Sequence, residues 1–224
     1  MLQCLYLSTR PDLLALLATV SKDHQLPPLS LLNDRQVRWI IEAGVGPLFW
    51  FASQKDSKTE DSRSCRDVKA ADLTTRLINE IQLETLSEIL VRCKGLLPPI
   101  TLLKGCSTGS ELYPQPHLRV IRDLDLLVEP KDQSKLEAIL LEMGFRQRST
   151  NSPCLELYAM HHHNMPFYHS SRDIWVEVHR GLFPASNKLA KLPVFSPRNT
   201  KGLLSCVSAA SFKLFIPLRI GLWS

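Results

Sequence analysis

The sequence predicts an α/β or α+β protein, in which a core of strands and helices follows a helical N-terminal region. Over the first hundred residues, apolar side chains recur at the three- and four-residue spacing of helices. Beyond Pro99, short apolar runs bounded by proline and glycine replace that spacing, which is typical of buried strands. The hydrophobic content of 44% is sufficient for a sizeable core.

The N-terminal region, residues 1–95, is predicted to be helical. A first helix has Pro11 in its first turn and ends before Pro27, and a second opens at Asn33 or Asp34. A long third helix reaches Cys93 and is closed by Gly95. Residues 53–67 contain almost no apolar side chain, so we expect a mobile loop there.

The core is predicted at residues 96–182 and a short, truncated or atypical tail at residues 183–224. A helix is expected between Lys131 and Met143, because apolar residues return to helical spacing before Gly144. Strands are expected at residues 100–103, 124–128, 155–160, 165–168 and 174–178.

Composition narrows the class of protein. The 27 basic and 22 acidic residues leave a net charge of +5, which permits a phosphate-bearing substrate but is no strong nucleic-acid signature. The six cysteines form no metal-finger spacing and are typical of reduced thiols. No apolar stretch approaches the roughly 20 residues that span a bilayer. We therefore expect a cytoplasmic protein without a membrane partner.

Two aspartates form the sharpest motif. Asp123 and Asp125 are two residues apart in a predicted strand, so their side chains leave the same face. Such carboxylates repel each other unless a cation lies between them, and oxygen ligands are what magnesium prefers. The alternative is a strand end at which both side chains are solvated.

A third carboxylate lies in the segment DIWVEVHR. Glu177 and His179 are expected on one face of this strand, with Val176 and Val178 on the other. If the two strands are neighbours, three carboxylates converge in the arrangement that holds catalytic metal ions. The alternative is a salt bridge from Glu177 to a nearby arginine or lysine.

The segment LLKGCSTGS runs from a strand into small residues. Gly105 allows a close approach of the backbone to a ligand, and the amides of such a turn suit phosphate oxygens. Lys104 adds a positive charge at the same corner. A simple strand-to-helix turn would have the same sequence pattern.

The run His161, His162 and His163 also suggests a zinc site. Because side chains alternate along a strand, at most His161 and His163 would share a face, and no cysteine has suitable spacing to complete four ligands. We expect one or two of these histidines to face the cleft.

Together these motifs resemble the uncharacterised nucleotidyltransferase family NTP_transf_5, a branch of the DNA polymerase β-type nucleotidyltransferase superfamily. The matching features are the LLKG turn, Arg119 four residues before Asp123, and the acidic strand around Glu177. The resemblance covers residues 72–182, with a weaker likeness in GVGPLFWFA. It implies an α+β fold with a mixed-sheet nucleotidyltransferase core.

The resemblance also implies roles. Asp123, Asp125 and Glu177 would bind Mg²⁺ or Mn²⁺ and form the catalytic triad of carboxylates. Lys104, Gly105, Ser107, Arg119 and His179 would contact the nucleotide, its phosphates or the triad.

The predicted function is transfer of a nucleoside monophosphate from a nucleoside triphosphate to an unknown acceptor, which could be a small molecule, a protein or RNA. Two alternatives stay open. One is a catalytically inactive relative that binds nucleotide or a partner protein. The other is a zinc- or partner-binding module built around the histidine run.

Overall fold

The structure is a computed structural model that describes residues 28–54, 62–148, 161–184 and 186–191. Helices precede a mixed five-stranded sheet, which confirms the predicted α+β class with a helical N-terminal region. The predicted first helix, the strand at 155–160 and most of the tail lie outside the described residues. The predicted division into 1–95, 96–182 and 183–224 stays a prediction.

One compact unit contains the chain up to Ile78 together with His117–Val120. Its described residues include a short 3-10 helix (Leu29–Leu31) and the helices α1 (Asp34–Glu42) and α2 (Gly46–Ser53). Asn33 caps α1 as predicted: its side chain accepts a hydrogen bond from the Gln36 amide, and the Gln36 side chain accepts one from the Asn33 amide. The core of this unit consists of Leu29, Leu32, Val37, Ile40, Phe49, Cys65 and Val68.

The long helix α3 spans Arg63–Cys93, so the predicted loop at 53–67 extends too far. Ser62 Oγ accepts a hydrogen bond from the Cys65 amide and caps the helix. Cys65 and Val68 are buried, and this packing makes the polar first turn helical. Gly95 closes the helix with a φ of 81°, as predicted.

Helix α3 contributes residues to both compact units, since Asn79 and the residues after it belong to the second. Leu86 and Ile89 are fully buried in that second unit, whereas Leu73 and Leu77 of the same predicted apolar face are exposed. No helix among the described residues is long and apolar enough to cross a membrane.

The second unit contains the mixed sheet, whose strand order is β1-β2-β5-β4-β3. The β2–β5 pair is parallel and the other neighbours are antiparallel. Among the described residues, the strands are β1 (Thr101–Leu102), β2 (Leu124–Leu127), β3 (Arg146–Gln147), β4 (Phe167–His169) and β5 (Ile174–His179). The α-helices there, besides the end of α3, are α4 (Lys104–Leu112) and α5 (Gln133–Glu142), and short 3-10 helices lie at Pro130–Asp132 and Lys188–Lys191.

Two of these elements are not among the predicted ones. Helix α4 follows β1 after a single residue, where glycines and hydroxyl residues indicated a turn. Strand β3 pairs with β4 through only two residues. The hydrophobic core lies between the sheet and its helices and includes Leu86, Ile89, Leu124, Leu126, Leu136, Leu140, Phe145, Phe167, Val176 and Val178.

Candidate active site

Strands β2 and β5 place two of the predicted carboxylates side by side. They are parallel neighbours, and Asp125 lies opposite Glu177 in the register. Along β5, Ile174, Val176 and Val178 are buried in the core, so Glu177 and its alternate neighbours belong to the opposite face. The condition on which the role of Glu177 depended, that the two strands are neighbours, is therefore met.

The ammonium of Lys104 lies among all three predicted carboxylates. Its Nζ is 2.7 Å from Asp125 Oδ1, 3.5 Å from Glu177 Oε2 and 4.0 Å from Asp123 Oδ2. Burial alone would lower the pKa of Lys104, but the hydrogen bond to Asp125 and the three negative charges outweigh it and raise the pKa above its usual value. The salt bridge that was the alternative for Glu177 is thus present, and its partner is Lys104.

His179 is the second basic group of the site. Its Nε2 lies 2.8 Å from Asp125 Oδ1 and 3.4 Å from Glu177 Oε2, in an almost completely buried position. Burial opposes protonation of the ring, yet the hydrogen bonds to the two carboxylates raise its pKa above the usual value. His179 therefore contacts both carboxylates from the end of β5.

The carboxylates themselves have different environments. The hydrogen bond from His179, against an opposing effect of burial, lowers the pKa of Glu177 to about 2. Burial, followed by the charge of Asp125, raises the pKa of Asp123. Asp125 is completely buried, and its Oδ2 has no hydrogen-bond partner in the structure. A buried carboxylate oxygen without a partner is costly, so Asp125 Oδ2 is an acceptor that a bound cation would satisfy.

Metal-ligating atoms converge at this point. One oxygen of Asp125, one of Glu177 and one ring nitrogen of His179 all lie within 4.8 Å of one another. Oxygen atoms from carboxylates suit a hard divalent cation, and the unpartnered Oδ2 of Asp125 would be satisfied by one. Asp123 does not belong to this group, although it reaches the same ammonium of Lys104.

The predicted phosphate turn is the start of helix α4. The left-handed backbone conformation there belongs to Lys104, with a φ of 49°, and Gly105 is not among the described glycines of positive φ. Ser107 is buried, and its carbonyl accepts a hydrogen bond from Ser110. The segment is therefore a strand-to-helix turn, and contact of Gly105 and Ser107 with phosphate stays a prediction.

Arg119 belongs to the other compact unit, in the segment His117–Val120. Its Nη1 donates a hydrogen bond to the carbonyl of Val120 at 2.8 Å. Of the residues predicted to contact the nucleotide, the structure brings Lys104 and His179 to the carboxylates.

Backbone contacts that the sequence did not indicate hold this corner together. The Leu103 amide donates to the carbonyl of Asp125 at 3.0 Å. The thiol of Cys106 donates to the carbonyl of Asp123 at 3.6 Å, and burial raises the pKa of that thiol to about 12. Helix α4 is therefore anchored to β2, which contains Asp125, and to Asp123, which lies directly before that strand and not within it as predicted. A lone cysteine beside a glycine gave no sign of this role.

The sheet is mixed, and acidic side chains lie on two of its adjacent parallel strands. A strand-to-helix turn places a lysine beside these acidic side chains. Together these features define a nucleotidyltransferase type of core. The sequence model of a family described as uncharacterised nucleotidyltransferase matches residues 32–201, and the chain belongs to that family. The match extends beyond residues 72–182, to which the resemblance was assigned from the sequence. The chain matches no curated protein and no solved structure.

Proposed function

We propose that this protein is a metal-dependent nucleotidyltransferase that moves a nucleoside monophosphate from a nucleoside triphosphate to an acceptor and releases pyrophosphate. Asp123, Asp125 and Glu177 are the proposed ligands of Mg²⁺ or Mn²⁺. The observation that supports this most is the completely buried Asp125, which lies opposite Glu177 on a parallel strand and keeps one oxygen without a partner. Membership of a nucleotidyltransferase family agrees with it.

The cation would supply positive charge to the triphosphate and to the attacking oxygen of the acceptor. The residues of the chain prepare the site for it. Glu177, whose pKa is about 2, is ionised at neutral pH. His179 donates to Asp125 and leaves the second oxygen of that carboxylate available. The site therefore holds negative charge at a fixed geometry, which is what tight binding of a hard cation requires.

We propose that Lys104 pairs with the carboxylates before the metal binds and with a phosphate of the nucleotide afterwards. In the structure its ammonium neutralises the carboxylates. A divalent cation on the same oxygens would repel the ammonium, and Lys104 would then pair with a phosphate of the nucleotide. Half of the Lys104 side chain is exposed, so such a movement needs no rearrangement of the core.

A second candidate function is nucleotide binding without catalysis. It is favoured by the same ion pair, because Lys104 can satisfy Asp125 and Glu177 without any metal. A protein that binds nucleotide in the presence of Mg²⁺, but releases no pyrophosphate with any class of acceptor, would have this function.

The test is a panel of the common nucleoside triphosphates, with Mg²⁺ or Mn²⁺, offered with small-molecule, protein and RNA acceptors. Pyrophosphate release and transfer of labelled nucleotide are measured for the wild type, Asp125→Asn and the control Asp132→Asn. Asp132 is a buried aspartate of the same unit outside the carboxylate group. We expect at least a roughly 10–100-fold loss of activity in Asp125→Asn alone. Equal activity in Asp125→Asn and the wild type would disprove the assignment.

A further inference from the structure

The three consecutive histidines converge instead of alternating. Residues 161 and 162 form a bend, and His163 makes an isolated antiparallel bridge to His179, so the alternation of an extended strand does not apply. The ring centroids of His162 and His163 are 4.9 Å apart, and those of His161 and His163 are 5.6 Å apart. One nitrogen of each ring lies within 4.8 Å of the others.

The hydrogen bonding of His163 also suits a metal ligand. His163 Nδ1 lies 2.9 Å from the carbonyl of Asn164, and a carbonyl only accepts, so Nδ1 is the donor and, in the neutral ring, Nε2 is the nitrogen that would ligate a metal. This is the arrangement of metal-bound histidines, whose other nitrogen donates to a backbone carbonyl. His162 Nδ1 is buried without a hydrogen-bond partner.

We propose that His161, His162 and His163 form a second cation site, selective for a borderline divalent transition metal such as Zn²⁺ or Co²⁺. Three imidazole nitrogens match the ligand preference of these ions, whereas Mg²⁺ prefers oxygen. His161 is exposed, so the site opens to solvent and a fourth position is accessible to water. The site is separate from the proposed catalytic metal site and does not depend on the proposed function.

Because His179 lies close to both groups, an experiment must distinguish a metal held by the three histidines from a metal held by the carboxylates. Its ring centroid is 5.2 Å from that of His162 and 5.3 Å from that of His163. The same ring belongs to the group of Asp125 and Glu177, which could also take a transition metal. Zinc binding by the wild type alone therefore does not say which group holds the ion.

The experiment uses the full chain, purified without a polyhistidine tag and kept in excess Mg²⁺. Zn²⁺ is titrated by calorimetry, and Co²⁺ by its visible absorption, into the wild type, His161→Ala, His162→Gln, Glu177→Gln and the control His169→Gln. His169 packs against Phe145 and lies outside the histidine group. We expect a single bound ion per chain, with affinity lowered by at least roughly 10–100-fold in His161→Ala and His162→Gln only.

His161 is exposed, so His161→Ala should fold even if His162→Gln does not, and circular dichroism checks both. Unchanged affinity in a folded His161→Ala would overturn the proposal. Loss of the ion in Glu177→Gln would also overturn it, because the ion would then belong to the carboxylates. The proposal would also be overturned if the wild type bound neither Zn²⁺ nor Co²⁺ stoichiometrically. Each of these results leaves the proposed nucleotidyl transfer untouched.

Discussion

Lys104 and Asp125 form an ion pair of 2.7 Å between the first residue of helix α4 and the second residue of strand β2. The lysine brings a cation to the point where three carboxylates meet, at a backbone φ of 49° that a lysine rarely adopts. Non-glycine residues in this conformation cost about 1–3 kcal/mol and concentrate at functional sites. The ion pair and the unusual backbone conformation together indicate that the carboxylate site stabilises a positive charge.

Replacement of Lys104 by asparagine should strengthen the binding of Mn²⁺ or Mg²⁺ to the nucleotide-free protein. Asparagine tolerates positive φ, so the variant removes the competing ammonium without adding strain. Without metal, the variant should lose roughly 1 kcal/mol of stability, a small value because half of the Lys104 side chain is exposed and water screens its charge. Calorimetric titration and urea denaturation measure the two effects.

Lys131→Asn is the matched control for this variant, because Lys131 also pairs with a carboxylate, that of Glu129. We expect its metal affinity to equal that of the wild type. If Lys104→Asn bound metal more weakly than the wild type, the lysine would be assisting the cation rather than competing with it.

The pH dependence of stability should report on His179. Its folded-state pKa lies above the usual 6.5, so the stabilisation by its hydrogen bonds to Asp125 and Glu177 is complete below pH 6.5 and is lost as pH rises through the folded-state pKa. In metal-free buffer, the free energy of unfolding of the wild type relative to His179→Gln should therefore fall on going from about pH 6 to about pH 9.

Nuclear magnetic resonance of the imidazole rings gives an independent reading of the same effect. The His179 resonance should titrate above 6.5, and that of His162 near 4. A His179 midpoint below 6.5 would mean that burial outweighs the two carboxylates, contrary to the structure.

The thiol of Cys106 should be protected from alkylation in the folded protein. It is buried against the carbonyl of Asp123, and burial raises its pKa to about 12, so little thiolate forms near pH 8. Iodoacetamide treatment followed by mass spectrometry should find Cys106 modified only in denaturant. Rapid modification under native conditions would show that helix α4 separates from β2.

The buried side chain that follows Asp125 in β2 should contribute strongly to the stability of the sheet. Leu126 is fully buried in the core of the second unit. Leu126→Ala should destabilise the protein by about 2–5 kcal/mol, as truncation of a buried leucine does. Leu141→Ala is the control, since Leu141 is an exposed leucine in α5, and a change of less than about 1 kcal/mol is expected. Thermal and urea unfolding compare the two variants.

Much of the fold was predictable from local pattern. The apolar runs at β2 and β5, the Asn33 cap and the glycine ends of helices have local causes, and the structure has them where they were predicted. Helix α4 was missed because Gly105 and Gly109, with serine and threonine between them, are poor helix formers. Contacts of Leu103 with β2, and of Cys106 with the carbonyl of Asp123 directly before β2, anchor the start of this helix despite that composition.

The site was predictable only in part. Spacing alone put Asp123 and Asp125 near each other, but the adjacency of Asp125 and Glu177 depends on the strand order, which no local pattern contains. Contact of Lys104 with phosphate stays a prediction, whereas its position among the carboxylates depends on the packing of β1, β2 and β5 and was not predictable from local pattern. The convergence of the histidines was missed because the segment bends, and alternation holds only in extended strands.

The most direct test of the central claim is a crystal structure with Mn²⁺ and a non-hydrolysable nucleoside triphosphate analogue, in which anomalous scattering locates the metal. We predict a peak within roughly 2.5 Å of carboxylate oxygens of Asp125 and Glu177, with the Lys104 ammonium moved to the phosphates. An Asp125→Asn crystal grown in the same way should lack the peak. A wild-type structure in which Lys104 still lies 2.7 Å from Asp125, with manganese bound elsewhere or not at all, would contradict the claim.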